Sequence, residues 1–151
     1  MVITIYTAEL VKRMKAVSHR EVAEIADTEA RYRAEAGTEK AGIIRLCISD
    51  AHARLKSRVL RFLEGSYTAA SDNDLEIPTE YVYELIVSER RGVNKAEPLQ
   101  AAMSDFAVEY ALSKFYSTVS QTELSNKHSL LAIDAGNLIE QLLYYKQPPR
   151  V

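Results

Sequence analysis

Three histidines, a single cysteine and scattered carboxylates are the side chains best suited to act as base, nucleophile or metal ligand in this 151-residue chain. His19, His52 and His128 fall on different predicted helices. No His-x-x-x-His, His-Glu-x-x-His or Cys-x-x-Cys spacing presents two ligands on one face, so no metal site is expected. His128 sits within an apolar stripe, where an imidazole usually finds a hydrogen-bond partner, and reads as a core or interface residue. Cys47, between Leu46 and Ile48, reads as a small hydrophobe, because a catalytic thiolate wants an electropositive, partly exposed site. Asp72 and Asp74 lack the later ligands of a calcium loop. There is no G-x-G-x-x-G, Walker-type loop or G-x-S-x-G elbow, and five glycines leave few sites for a phosphate cradle. The expectation is a non-enzymatic protein with no cofactor.

Residues suited to contact are more plentiful. Arg54, Arg58 and Arg61 recur at i, i+4 and i+7, with Asp50 four residues before Arg54. Such a row is either a solvated face supported by i, i+4 pairs or an edge presented to phosphates. Arg90 and Arg91, ahead of Gly92, form a second small cluster with the same two readings. Nine tyrosines and no tryptophan favour surfaces buried against a partner, since tyrosine joins an apolar face to a polar tip. Tyr81, Tyr83, Leu85, Tyr110, Tyr144 and Tyr145 are the candidate subunit-interface residues. The strands over 2–6 and 81–87 could also offer unpaired edges for strand addition.

These residues are carried by a pattern that is mainly helical. Val2 to Tyr6 is β-branched and aromatic and predicts a strand, after which Thr7 offers a helix cap. Ser18 and Glu21 stand in the spacing of a capping box, predicting that a second helix starts there and runs to Gly37. Thr38 can cap a third helix extending to Gly65. Ser66 to Asp74 is polar turn material, and Tyr81 to Val87 alternates as a strand does, although helical spacing also fits it. Pro98 suits the first turn of a fourth helix, with Leu99, Met103, Phe106 and Tyr110 on its buried face. Ser120 and Glu123 repeat the capping box before a fifth helix, whose stripe is Leu124, His128, Leu131, Ala135, Leu138, Leu142 and Tyr145. The predicted fold is a mainly α bundle of about five helices with a minor two-stranded β element, forming one domain over residues 1–151.

Composition agrees with that reading. The chain is 47% hydrophobic and 26% charged, with a formal net charge of −2, which argues against a strongly basic nucleic-acid binder. The charge is uneven: residues 1–64 hold twelve basic and nine acidic groups, residues 65–97 three and seven. No run approaches the roughly 18 apolar residues of a membrane span, so no membrane partner is expected. One cysteine and no signal-peptide pattern predict a reducing, cytoplasmic setting.

The order of elements, with the segment Pro98-Leu99-Gln100-Ala101-Ala102-Met103-Ser104-Asp105-Phe106-Ala107-Val108-Glu109-Tyr110-Ala111-Leu112 and a last helix ending Leu142-Leu143-Tyr144-Tyr145, resembles small proteins of prophages in Bacteroides-type bacteria. Those are similar to head–tail connector, or head-completion, proteins of tailed phages. The resemblance implies a small helical subunit without catalytic residues, assembling as a homo-oligomeric ring at the portal in the virion. It also implies a channel for DNA and at most weak non-specific DNA contact. The alternative is a small helical nucleic-acid-binding or regulatory protein using the arginine row.

Overall fold

The computed structural model describes residues 1–68, 78–86 and 96–143. In chain order its elements are β1 (Val2–Tyr6), α1 (Thr7–Val22), α2 (Thr28–Ala34), α3 (Ala41–Arg58), β2 (Leu63–Thr68), β3 (Glu80–Leu85), α4 (Ala96–Thr118) and α5 (Thr122–Leu143). Single 3-10 turns, Thr38–Lys40 and Leu60–Phe62, flank α3. The fold is mainly α with a minor β element. Among the described residues no helix is long and apolar enough to cross a membrane.

The β element has three strands where the sequence predicted two. They are antiparallel in the order β1-β3-β2, with Ile3 opposite Tyr83, Ile5 opposite Tyr81, and Ser66 opposite Tyr83 on the other side. β2 occupies residues expected to end the third helix and begin a turn. Phe62 and Leu63 continue the helical spacing of α3, but the chain leaves the helix after Arg58 because β3 supplies partners for its backbone: the Phe62 carbonyl accepts from the Ile86 amide at 2.7 Å. β3 is therefore the central strand, so the segment over 81–87 offers no edge for strand addition within its described part. The outer edge of β1 is partly occupied too, since the Gln100 side chain donates to the Thr4 carbonyl.

α1 runs without a break through Ser18, so the capping box predicted there does not form. Ser18 is fully buried and its Oγ instead accepts from the Ala36 amide at 2.8 Å, tying α1 to the segment after α2. Asp27 caps α2, accepting from the Glu29 amide at 3.0 Å. A hydroxyl in the right sequence spacing has been spent on a tertiary contact.

α4 is apolar on most of its circumference: Leu99, Met103, Phe106, Val108, Leu112, Phe115 and Tyr116 are all buried. It is the central helix, packed by α1, α3 and α5. It is closed by Ser120, just past its end, whose φ of 62° places it in the left-handed region. The Gln121 amide donates to the Tyr116 carbonyl at 2.8 Å and the Ser120 amide to Ser117 at 3.3 Å, the paired bonds of a Schellman cap. A non-glycine residue in that conformation costs about 1–2 kcal/mol, while glycine costs extra chain entropy of about 0.5–1 kcal/mol. Ser120→Gly is therefore expected to raise stability by roughly 0.5–1 kcal/mol, read as a higher urea midpoint at unchanged slope. An unchanged or lowered midpoint would count against this cap. The predicted Ser120 capping box is displaced accordingly, and α5 starts at Thr122.

The core-facing stripe of α5 is rotated from the predicted one. His128, Ala132, Gly136, Ile139 and Leu143 are the buried positions, while Leu131 and Leu138 are exposed. Ala132 and Gly136 face inward because small side chains let α5 lie close to its neighbours.

Candidate functional site

The outward face of α5 is the first candidate. Leu130, Leu131, Ile133 and Leu138 are exposed by 64%, 38%, 50% and 45%. From Ser129 to Ile139 the sequence carries one charge, Asp134. A helix that is apolar on both its inner and outer faces is one that expects cover on both, and clustered exposed apolar side chains mark interaction surfaces.

Beside this face lies a shallow groove of about 130 Å3 that brings together three of the residues singled out in the sequence, Arg54, Arg58 and Tyr110, with Ile133 of α5. Tyr110 is half-buried and stacks on Phe106, with ring centres 5.8 Å apart. Arg58 is not a free member of an arginine row. Its guanidinium bridges to Glu140 at 2.6 Å, lies 5.9 Å over the Phe106 ring, and fills the space that the missing side chain of Gly136 leaves. Arg54 and Arg61 are exposed, but Arg61 lies beyond the end of α3 in the 3-10 turn, so the predicted helical row is broken.

The tyrosine cluster divides. Tyr83 and Leu85 are buried within this chain, in the core cluster that also holds Ile3 and Ile5 of the neighbouring strand, and are core rather than surface residues. The reason is the central place of β3, which turns this side of the strand onto His52 of α3. Tyr81 is half-buried and stacked on His52. Tyr144, Tyr145, Arg90 and Arg91 lie outside the described residues.

Two buried histidines form polar centres of opposite character. His128, 2% exposed, is held between two carboxylates: Nε2 donates to Glu21 of α1 at 2.7 Å, and Nδ1 donates to Glu109 of α4. Glu21 also accepts from Lys127 Nζ at 2.7 Å and from the Tyr116 hydroxyl at 3.1 Å. Burial works against the imidazolium, yet the hydrogen bonds to Glu109 and Glu21 and their charges hold its pKa above 6.5. Burial likewise opposes ionisation of Glu21, and the bonds from Lys127 and His128 outweigh it, holding the carboxyl below 4.5. Two carboxylates thus face two cations, and α1, α4 and α5 are joined at one point. Of the two positions the sequence allows His128, core or interface, it occupies the core. Its partners were missed, although Glu109 is a lone charge inside the apolar run from Phe106 to Leu112, and a charge there requires a partner.

His52, on α3, is 3% exposed. Its ring lies 3.4 Å from that of Tyr81, nearly parallel at 12°, and Nδ1 is 2.7 Å from the Tyr83 hydroxyl. Burial pushes its pKa down to about 3, so the ring is neutral, while burial raises the Tyr83 phenol and keeps it protonated. Nothing in the sequence links residues 31 positions apart. Burial also pushes the Cys47 thiol up to about 11, with Asp50 adding to the rise, in keeping with a packing role. Among the described residues no group of three His, Cys, Asp or Glu side chains could hold a metal ion. Comparison with known proteins finds no match: neither a family model, nor a curated protein, nor a solved structure is significantly similar to this chain.

Proposed function

We propose that the chain is a non-enzymatic assembly subunit whose α5 face is covered by a neighbouring copy, and that the assembly is a head–tail connector ring of the kind its sequence resembles. The observation that carries the reading is the outward apolar face of α5, Leu130, Leu131, Ile133 and Leu138, on a helix already packed on its other side. Leaving such a face in water forfeits about 25 cal/mol per Å2, a penalty that subunit contact removes. Tyr110 and Arg54 border the face and supply the aromatic and guanidinium groups that interfaces favour. Of these candidate arginines among the described residues, Arg54 and Arg61 remain to face a portal or DNA.

Size-exclusion chromatography with light scattering, run at several concentrations and with purified portal added, tests the reading. The expected result is a mass that rises with concentration above the 17.0 kDa of one chain, or capture by portal. Leu131→Glu with Leu138→Glu should abolish that association and leave the helical circular dichroism unchanged, because both side chains are exposed. A strict monomer that ignores portal would discard the proposal.

A further inference from the structure

A cavity of about 290 Å3 opens between α3 and the sheet, lined chiefly by Ser49, His52 and Lys56 from the helix and by Ser66, Tyr81 and Tyr83 from the strands. Positions 49, 52 and 56 share one helical face. The volume lies at the lower end of small-molecule sites. What marks it out is an unmet hydrogen bond, for Nε2 of His52 is buried and has no partner among the described residues.

The hydrogen bonding of the pair fixes what Nε2 needs. The Tyr83 hydroxyl has one proton, and its only hydrogen bond among the described residues is with His52 Nδ1. Donating that proton to Nδ1 satisfies the buried phenol and places the imidazole hydrogen on Nε2. Nε2 is then a donor without an acceptor, a costly arrangement in a native interior. One turn along α3, Lys56 lines the same cavity with an exposed ammonium that forms no ion pair with the described residues. A buried N–H and a nearby cation together specify an acceptor carrying a single negative charge spread over two oxygens.

We propose that this cavity binds a small carboxylate, one oxygen accepting from His52 Nε2 and the other from the Lys56 ammonium, with a compact apolar body against Tyr81 and Ala53. A phosphate dianion fits less well, since it would bring a second charge to a site with one cation. The Ser49 and Ser66 hydroxyls supply further donors at the wall. The site lies on α3 and the sheet and not on α5, so its occupancy and self-association fail or hold separately.

The test is a titration of the full, 15N-labelled chain with benzoate, with benzamide as the neutral counterpart and inorganic phosphate as the competing anion. Benzoate should give saturable shifts at the amides of residues 49–56 and 81–83 and at the His52 Nε2 resonance. Benzamide should give none. Lys56→Gln, a change at an exposed side chain, should weaken benzoate about tenfold, the worth of one charge-assisted hydrogen bond. The proposal is overturned if millimolar benzoate gives no saturable shift, if benzamide or phosphate binds as well, or if Lys56→Gln binds benzoate unchanged.

Discussion

Replacing Glu21 with alanine is expected to destabilise the fold by about 3–5 kcal/mol, the cost of stripping one partner from a buried ion pair. Its carboxylate accepts from His128, Lys127 and Tyr116, and it comes from α1 while its partners come from α4 and α5. Without it a buried imidazolium keeps Glu109 as its one acceptor, and the Tyr116 hydroxyl, on a side chain with no exposed surface, loses its carboxylate acceptor. The exposed pair Arg33–Glu29 provides the contrast: its geometry is as close, at 2.6 Å, yet Arg33→Ala is expected to cost at most about 0.5 kcal/mol. Urea unfolding of both variants at the same pH separates the cases. A Glu21→Ala cost no larger than that of Arg33→Ala would refute the buried centre.

Stability is expected to peak near pH 6.5, with a different histidine responsible for each side. His52 has its folded pKa pushed down to about 3 from 6.5, so the unfolded chain takes up this proton first as pH falls. Stability then declines below pH 6.5, with a slope approaching about 1.4 kcal/mol per pH unit. His128 has its folded pKa raised above 6.5, so its contribution is complete below 6.5 and is lost as pH rises through the folded value. Glu21, held below 4.5, adds its own loss only as pH falls through its still lower folded value. The interval from 6.5 down to 4.5 therefore isolates His52. His52→Phe keeps a ring against Tyr81 and removes the titrating group. Urea midpoints measured across that interval should slope in the parent chain and lie flat in the variant; equal slopes would sink the assignment.

Much of this architecture is legible in the sequence, and the failures have common causes. α4 is announced by Pro98 and its apolar run, and β1 and β3 by their β-branched and aromatic alternation. β2 was hidden because Leu63-Glu64-Gly65-Ser66 has weak strand character and becomes a strand only through pairing with β3. Ser18 satisfies every local rule for a cap and is used otherwise, because the Ala36 amide needed an acceptor in the interior. The stripe of α5 is rotated from the expected one, with His128 inside and Leu131 and Leu138 outside, since its apolar residues surround the helix and periodicity then admits two rotations. That ambiguity is itself the trace of the outer face. His52 with Tyr83, and Glu21 with His128, are long-range pairings that no spacing rule encodes.

The junction of Glu21 and His128 also bears on the order in which the chain can acquire its structure. Those residues are 107 positions apart, and the bond from the Met1 amino group to the Leu85 carbonyl spans 84. α4 and α5, joined by Val119 to Gln121, meet through far shorter loops, and short loops close at lower entropic cost. During synthesis β1 and α1 emerge first, yet their partners on β3, α4 and α5 emerge last. The helical hairpin is thus the expected early structure and the N-terminal segment the late clasp, an order that pulsed hydrogen exchange during refolding would reveal as protection of α4 and α5 before β1. A subunit built this way completes its fold only after the helix bearing its outer apolar face is already in place.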